Sequence, residues 1–186
     1  ETIARLLRFT STASEGDTQD VSLDDYIGRM KEGQDKIYYL TADGYATAKN
    51  SPLLEVFRQK GVEVLLLTEL VDNWVVTSLT EYKGKQIQSI AKGELELDKM
   101  EDEETKAAQE KAVTDFKDLT ERLKTTLADR VKEVRVTHRL TSSPSCVVGD
   151  ENDLDESFKR ILKASGQKLP ETKPALEINP QHPLIE

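Results

Sequence analysis

Two short apolar runs with a helical segment between them constrain this chain more than any other feature. Ile37-Tyr38-Tyr39-Leu40 and Val62-Glu63-Val64-Leu65-Leu66-Leu67 are too short for ordinary helices and read as strands covered on both faces. Residues 45–60 between them carry helical spacing, with Leu54 and Phe57 pointing inward. Ser51-Pro52 marks a restart, because proline is tolerated at the first helical position. Arg58 and Lys60 suit the negative end of the helix dipole, and Gly61 closes the helix. Strand, helix, strand at this length calls for a right-handed parallel crossover. The fold class is therefore α/β here, and α+β over the whole chain.

Upstream, Ile3, Leu6 and Leu7 fall on one face of a short helix, and residues 10–20 read as an exposed loop. Ser22 followed by Asp25 has the form of a capping box, opening a helix to about Lys31 that stops at Gly33. Downstream, a helix over about 69–80 precedes a strand at Ile87–Ile90. Residues 91–104 turn acid-rich with few apolar anchors, which places a boundary between modules 1–98 and 99–186. The second module opens with a long helix over about 102–128, striped by Ala112, Phe116, Leu119, Leu123 and Leu127. Val134–Thr137 alternates like a strand, with Ser145–Val148 as its expected partner. A helix over Asp150–Ala164, closed by Gly166, and a short strand at Leu176–Ile178 complete the chain.

Several chemistries find no support. A net charge of −9 argues against nucleic-acid backbones, which require clustered Lys and Arg. No apolar run approaches the roughly 18–20 residues of a membrane span, and no secretory signal opens the sequence. Glu1 is not an initiator, and the mid-helix character of the start implies a piece of something larger. The single cysteine, Cys146, fits a reducing, cytoplasmic setting and reads as a buried inert thiol. The glycines never assemble a phosphate loop, so no cofactor is expected in this segment. Two histidines and one cysteine fall short of the four ligands of a His/Cys zinc site, so no metal is expected either. His138 reads as a strand-end histidine held by a carboxylate, and Asp24-Asp25 and Asp102-Glu103-Glu104 as solvated helix starts; no catalytic residue emerges.

Two helices carry more apolar surface than packing requires. In Thr68–Leu79, Val71, Val75 and Leu79 share a face, Trp74 lies at its margin, and Leu70 and Val76 flank it. Such a helix is either covered on two sides or partly exposed. In Asp150–Gly166, Leu154, Phe158, Ile161 and Leu162 form an i, i+4, i+7, i+8 ridge that packs on its own sheet or is offered to a partner. A different possibility is a stand-alone enzyme or ligand-binding domain using the crevice after Leu40 and Leu67, lined by Thr41, Asp43, Thr68 and Glu69.

Lys31–Ala42, Ser51-Pro52-Leu53-Leu54-Glu55, Gly61–Leu67 and Val136-Thr137-His138-Arg139-Leu140-Thr141 together resemble one family: the ninety-kilodalton heat-shock chaperones, in particular the bacterial branch called high-temperature protein G. The resemblance covers nearly the whole chain. It implies that residues 1 to about 98 end a middle domain, including its small αβα subdomain, and that residues from about 99 begin a C-terminal domain. It places the ATP and magnesium site upstream and the dimerisation helices downstream, so the segment itself would be monomeric or weakly associating. It implies contact with partly folded client proteins through Asn73, Trp74 and Thr77, and through Leu154, Phe158, Ile161 and Leu162. Bacterial relatives can carry methionine on the second helix; this chain has Leu and Phe, which keep hydrophobicity and lose adaptability.

Overall fold

The computed structural model describes residues 3–93, 95, 103–151, 153–169 and 172–185. The chain divides into two compact units, Glu1–Ile90 with Leu154–Leu169, and Ala91–Asp153 with Pro170–Glu186. The expected module boundary at 98/99 lies outside the described residues.

The first unit is built on five strands: β1 (Thr10–Ser11), β2 (Lys36–Thr41), β3 (Leu65–Leu67), β4 (Glu81–Tyr82) and β5 (Lys85–Ser89), in the order β1-β3-β2-β5-β4. β2 runs parallel to both β3 and β5, with Leu40 opposite Leu66 and Ile37 opposite Ile87. The edge strands β1 and β4 are antiparallel. The helices are α1 (Leu23–Gly28), α2 (Tyr45–Lys49), α3 (Glu55–Lys60), α4 (Asp72–Ser78) and, much later in sequence, α7 (Glu156–Ala164).

All four apolar residues of β2 are buried, as a strand covered on both faces requires. Because side chains alternate along a strand, Ile37 and Tyr39 turn to one face and Tyr38 and Leu40 to the other. The first pair joins Leu65, Leu67, Leu23 and Tyr26, with Val75, Val76 and Leu79 of α4 packed alongside. On the other face Tyr38 meets Phe57 of α3 edge-on at 4.9 Å. The Ser22–Asp25 capping box is present, each side chain bonded to the other residue's backbone N–H. Ser51 Oγ accepts from Leu53 N–H at the restart before α3, and Gly61 ends α3 in the left-handed region (φ 63°). Tyr26 ties α1 to the sheet: its hydroxyl donates to the Glu63 carbonyl at 2.7 Å and accepts from Tyr38 N–H at 3.0 Å.

The second unit holds α5 (Glu103–Asp115), α6 (Lys117–Thr126) and a sheet of β6 (Glu133–Val136), β7 (Ser145–Val148) and β8 (Ala175–Ile178) in the order β6-β8-β7. Val131, Val134 and Ile178 form its core, against which Leu119, Leu123 and Leu127 pack. On the other face of β8, Glu177 is buried and meets two arginines. Arg135 Nη2 lies 2.8 Å and Arg139 Nε 2.6 Å from its carboxylate oxygens.

Several expectations need correction. Ile3 and Leu6 are exposed, and only one turn of 3-10 helix forms, because Leu7 turns extended (ψ 142°) to carry Phe9 into the core. Thr10 and Ser11 are a buried edge strand rather than loop. The long helix is interrupted at Phe116 (φ −96°, ψ 8°), although Phe116 still bonds back to Ala112 and forward to Thr120. Ser145–Val148 pairs with β8 and not with Val134–Thr137, since Ala175–Ile178 inserts between them. The last helix begins at Glu156, not Asp150. Cys146 is half-buried, its Sγ donating to Glu177 at 3.8 Å, so it is not sealed among apolar groups.

Candidate functional site

α4 places its apolar residues differently from the stripe expected of it. Val75, Val76 and Leu79 face the core. At about 100° per residue, Trp74 then points roughly 150° away, and Leu70 and Thr77 share its outward row at i−4 and i+3. Val71 stands at the N-cap and is 61% exposed; Leu70 is 64% and Trp74 49% exposed. The same geometry carries Asp72 toward the core side, three and four residues before Val75 and Val76. Burial raises the Asp72 carboxyl above its usual range, with the charge of Glu69 adding to the effect. Asp72 Oδ2 accepts from Glu69 N–H at 3.0 Å. Asn73 is buried and does not present its side chain to solvent; Thr77 is exposed and its hydroxyl donates to the Asn73 carbonyl at 2.6 Å.

The second apolar helix lies in the same unit as the first. Phe158 of α7 meets Trp74 edge-to-face, with ring centroids 5.2 Å apart and planes 79° apart. Ile161 and Leu162 are half-buried beside it in sequence, while Leu154, leading into the helix, is exposed. Arg160, on the charged flank of α7, bonds Asp43 after β2. Burial of Tyr39, and to a lesser degree the charge of the buried N-cap residue Asp155, push the Tyr39 hydroxyl well above its ordinary value. Spacing along the chain could not foretell that residues 74 and 158 touch, because each helix was amphipathic by itself.

The crevice after Leu40 and Leu67 is occupied by structural contacts. Ala42 N–H bonds Leu67 O at 3.0 Å, Asp43 holds Arg160, and Glu69 N–H serves the Asp72 carboxylate. Among the described residues no His, Cys, Asp or Glu cluster could hold a metal ion, and no helix is long and apolar enough to cross a membrane.

A sequence model of the family described as Hsp90 protein matches residues 1–186. The chain is 60% identical over 185 residues to the chaperone protein HtpG of Dechloromonas aromatica, covering all of this chain and 29% of that protein. It is 57% identical over 186 residues to HtpG of Nitrosomonas europaea, and 54% identical over 186 residues to HtpG of Pseudoalteromonas translucida, each with all of this chain and 29% of the relative aligned. The chain thus spans under a third of the length of the relatives it matches.

Proposed function

The chain belongs to the Hsp90 protein family, and from that premise we propose that it is the client-binding and inter-domain segment of an ATP-dependent molecular chaperone. The observation that carries the proposal is the half-exposed indole of Trp74, set opposite the core-facing side of α4 and met by Phe158 of α7. Trp is a common anchor at binding surfaces, because it offers a large rigid area at low entropic cost. Leu70, Val71 and Leu154 stand exposed around the two helix starts. Partly folded clients would bury apolar segments against Trp74, Leu154, Phe158, Ile161 and Leu162, with Thr77 on the same outward row of α4. Asn73 would act from behind by holding the helix, being itself buried.

The net charge of −9 keeps such a surface soluble and favours basic clients. In the whole protein, ATP turnover on a segment outside this one would alter how α7 meets α4, and a second copy would supply a second surface. The setting is the cytoplasm. The enzyme alternative is disfavoured by the family and by the structural use of Asp43 and Glu69.

The test is binding of a permanently unfolded basic probe, reduced carboxamidomethylated ribonuclease A, to the chain and to the triple variant Trp74→Ser, Phe158→Ser, Leu162→Ser. Loss of an aromatic anchor at an interface typically costs about 2 kcal/mol or more, so affinity should fall at least about thirty-fold. Unchanged affinity in a variant with native circular dichroism rejects the assignment.

A further inference from the structure

A cleft of about 430 Å³ opens in the first unit, away from Trp74, between the β1 segment and the C-terminal ends of α2 and α3. Its walls include Ser11 and Ser14 on one side and Arg29, Lys31, Lys49 and Arg58 on the others; Glu63 is its one carboxylate. Four cations around one small cavity are unexpected in a chain of net charge −9.

The carboxylate is already neutralised. Arg29 grips Glu63 with two bonds of 2.9 Å, and the Ser11 hydroxyl donates to it at 2.5 Å. Each remaining cation is positioned by a neutral group. Lys49 Nζ lies 5.4 Å from the centre of the Tyr45 ring. Arg58 donates one of its N–H groups to the Lys49 carbonyl and keeps others available. Lys31 lies across Gly61, its Cε 3.6 Å from where a Cβ would stand, an ordinary contact distance. Two helix C-termini also face this region, and each contributes about half a negative charge at most. They offset about one of the three positive charges that have no acidic partner among the described residues, so the cleft remains electropositive.

We propose that this cleft is a binding site for a small phosphate-bearing anion, of the size of a diphosphate or a sugar phosphate. Its volume falls in the range of small-molecule pockets, about 300–1,000 Å³. Arg58 supplies the planar fork suited to phosphate oxygens, and Lys31 and Lys49 supply point charges. Arg29 does not compete for the ligand, because Glu63 holds it.

The 186-residue chain, labelled with ¹⁵N, is titrated with pyrophosphate and separately with phenyl phosphate, ionic strength being held constant with chloride. Saturable amide shifts are expected at Ser11, Ser14, Lys31, Lys49 and Gly61. The double variant Lys31→Gln, Lys49→Gln should weaken binding about ten-fold or more, as loss of charge-assisted contacts does. Lys83→Gln, at a lysine paired with Asp24 and absent from the cleft lining, should leave it unchanged. Non-saturating shifts, or equal weakening in the Lys83 variant, overturn the site. Saturable binding of a poly-glutamate peptide but of neither phosphate probe overturns the ligand class. Client binding through Trp74 is measured separately, so either proposal can fail alone.

Discussion

α3 and α4 are two short amphipathic helices laid on the same sheet, and they treat their aromatic residues oppositely. Phe57 of α3 is fully buried against Tyr38, and its neighbours Leu54 and Val56 are buried with it. Trp74 of α4 stands half in solvent, while three aliphatic side chains of the same helix do the packing. The sheet needs no indole from α4. The difference separates hydrophobicity that holds the fold from hydrophobicity that the fold leaves available, and a stripe of apolar letters does not distinguish the two.

The sharpest way to break this comparison is to remove both aromatics and measure stability. Phe57→Ala should cost about 3–5 kcal/mol, since it empties a site inside a packed core. Trp74→Ala should cost less, about 2 kcal/mol, because half of the residue is already hydrated and the helix keeps its three core contacts. Two compact units preclude a single global transition, so the readout is hydrogen-exchange protection at Tyr39 and Leu65, within the first unit. Comparable losses for the two variants would make Trp74 a core residue and remove the basis for a client surface.

A smaller effect sharpens the same comparison. If Trp74 is stabilised by anything, it is the edge-to-face contact with Phe158. A double-mutant cycle on Trp74→Ala and Phe158→Ala should return a coupling of about 0.5–1.5 kcal/mol. A coupling near zero would mean that the two rings face solvent independently, and that the two apolar helices are separate sites after all.

Much of the first unit was legible in the chain because its signals are local. Gly61, Ser51-Pro52 and the Ser22–Asp25 box each fix backbone within a few residues, and all three do what their chemistry requires. Parallel pairing of β2 with β3 followed from the length of the crossover. What escaped is non-local. β8 slips between β6 and β7, bringing Arg135, Glu177 and Cys146 into one cross-strand row, though 42 positions separate the first two. Arg139 carried no role of its own in the sequence beside His138, yet it holds the buried carboxylate. The candidate client residues were found as two lists on two helices; their meeting at Trp74 and Phe158 depends on α7 belonging to the first unit, which no periodicity encodes. The burial of Asn73 was equally invisible, because outward and inward faces were assigned from Val71, which lies just before the helix.

The smallest expected effect concerns how the two helices begin. An acid in the first turn ordinarily stabilises a helix through its dipole, and Glu55 of α3 occupies such a position. Asp72 of α4 occupies one too, but its turn toward the core desolvates it and raises its pKa. A carboxyl whose folded-state value exceeds its unfolded value binds the proton more readily in the native chain. It therefore subtracts stability at neutral pH, the loss is relieved as pH falls through the raised value, and none remains below the unfolded value. Asp72→Asn keeps an oxygen to accept from Glu69 N–H and removes the charge. Its hydrogen-exchange protection at Tyr39 and Leu65 should equal or slightly exceed that of the parent at neutral pH, with any advantage shrinking as pH falls toward about 4 and gone below it. A variant clearly less stable at neutral pH would show that the dipole outweighs desolvation here, and that α4 begins as favourably as α3 does.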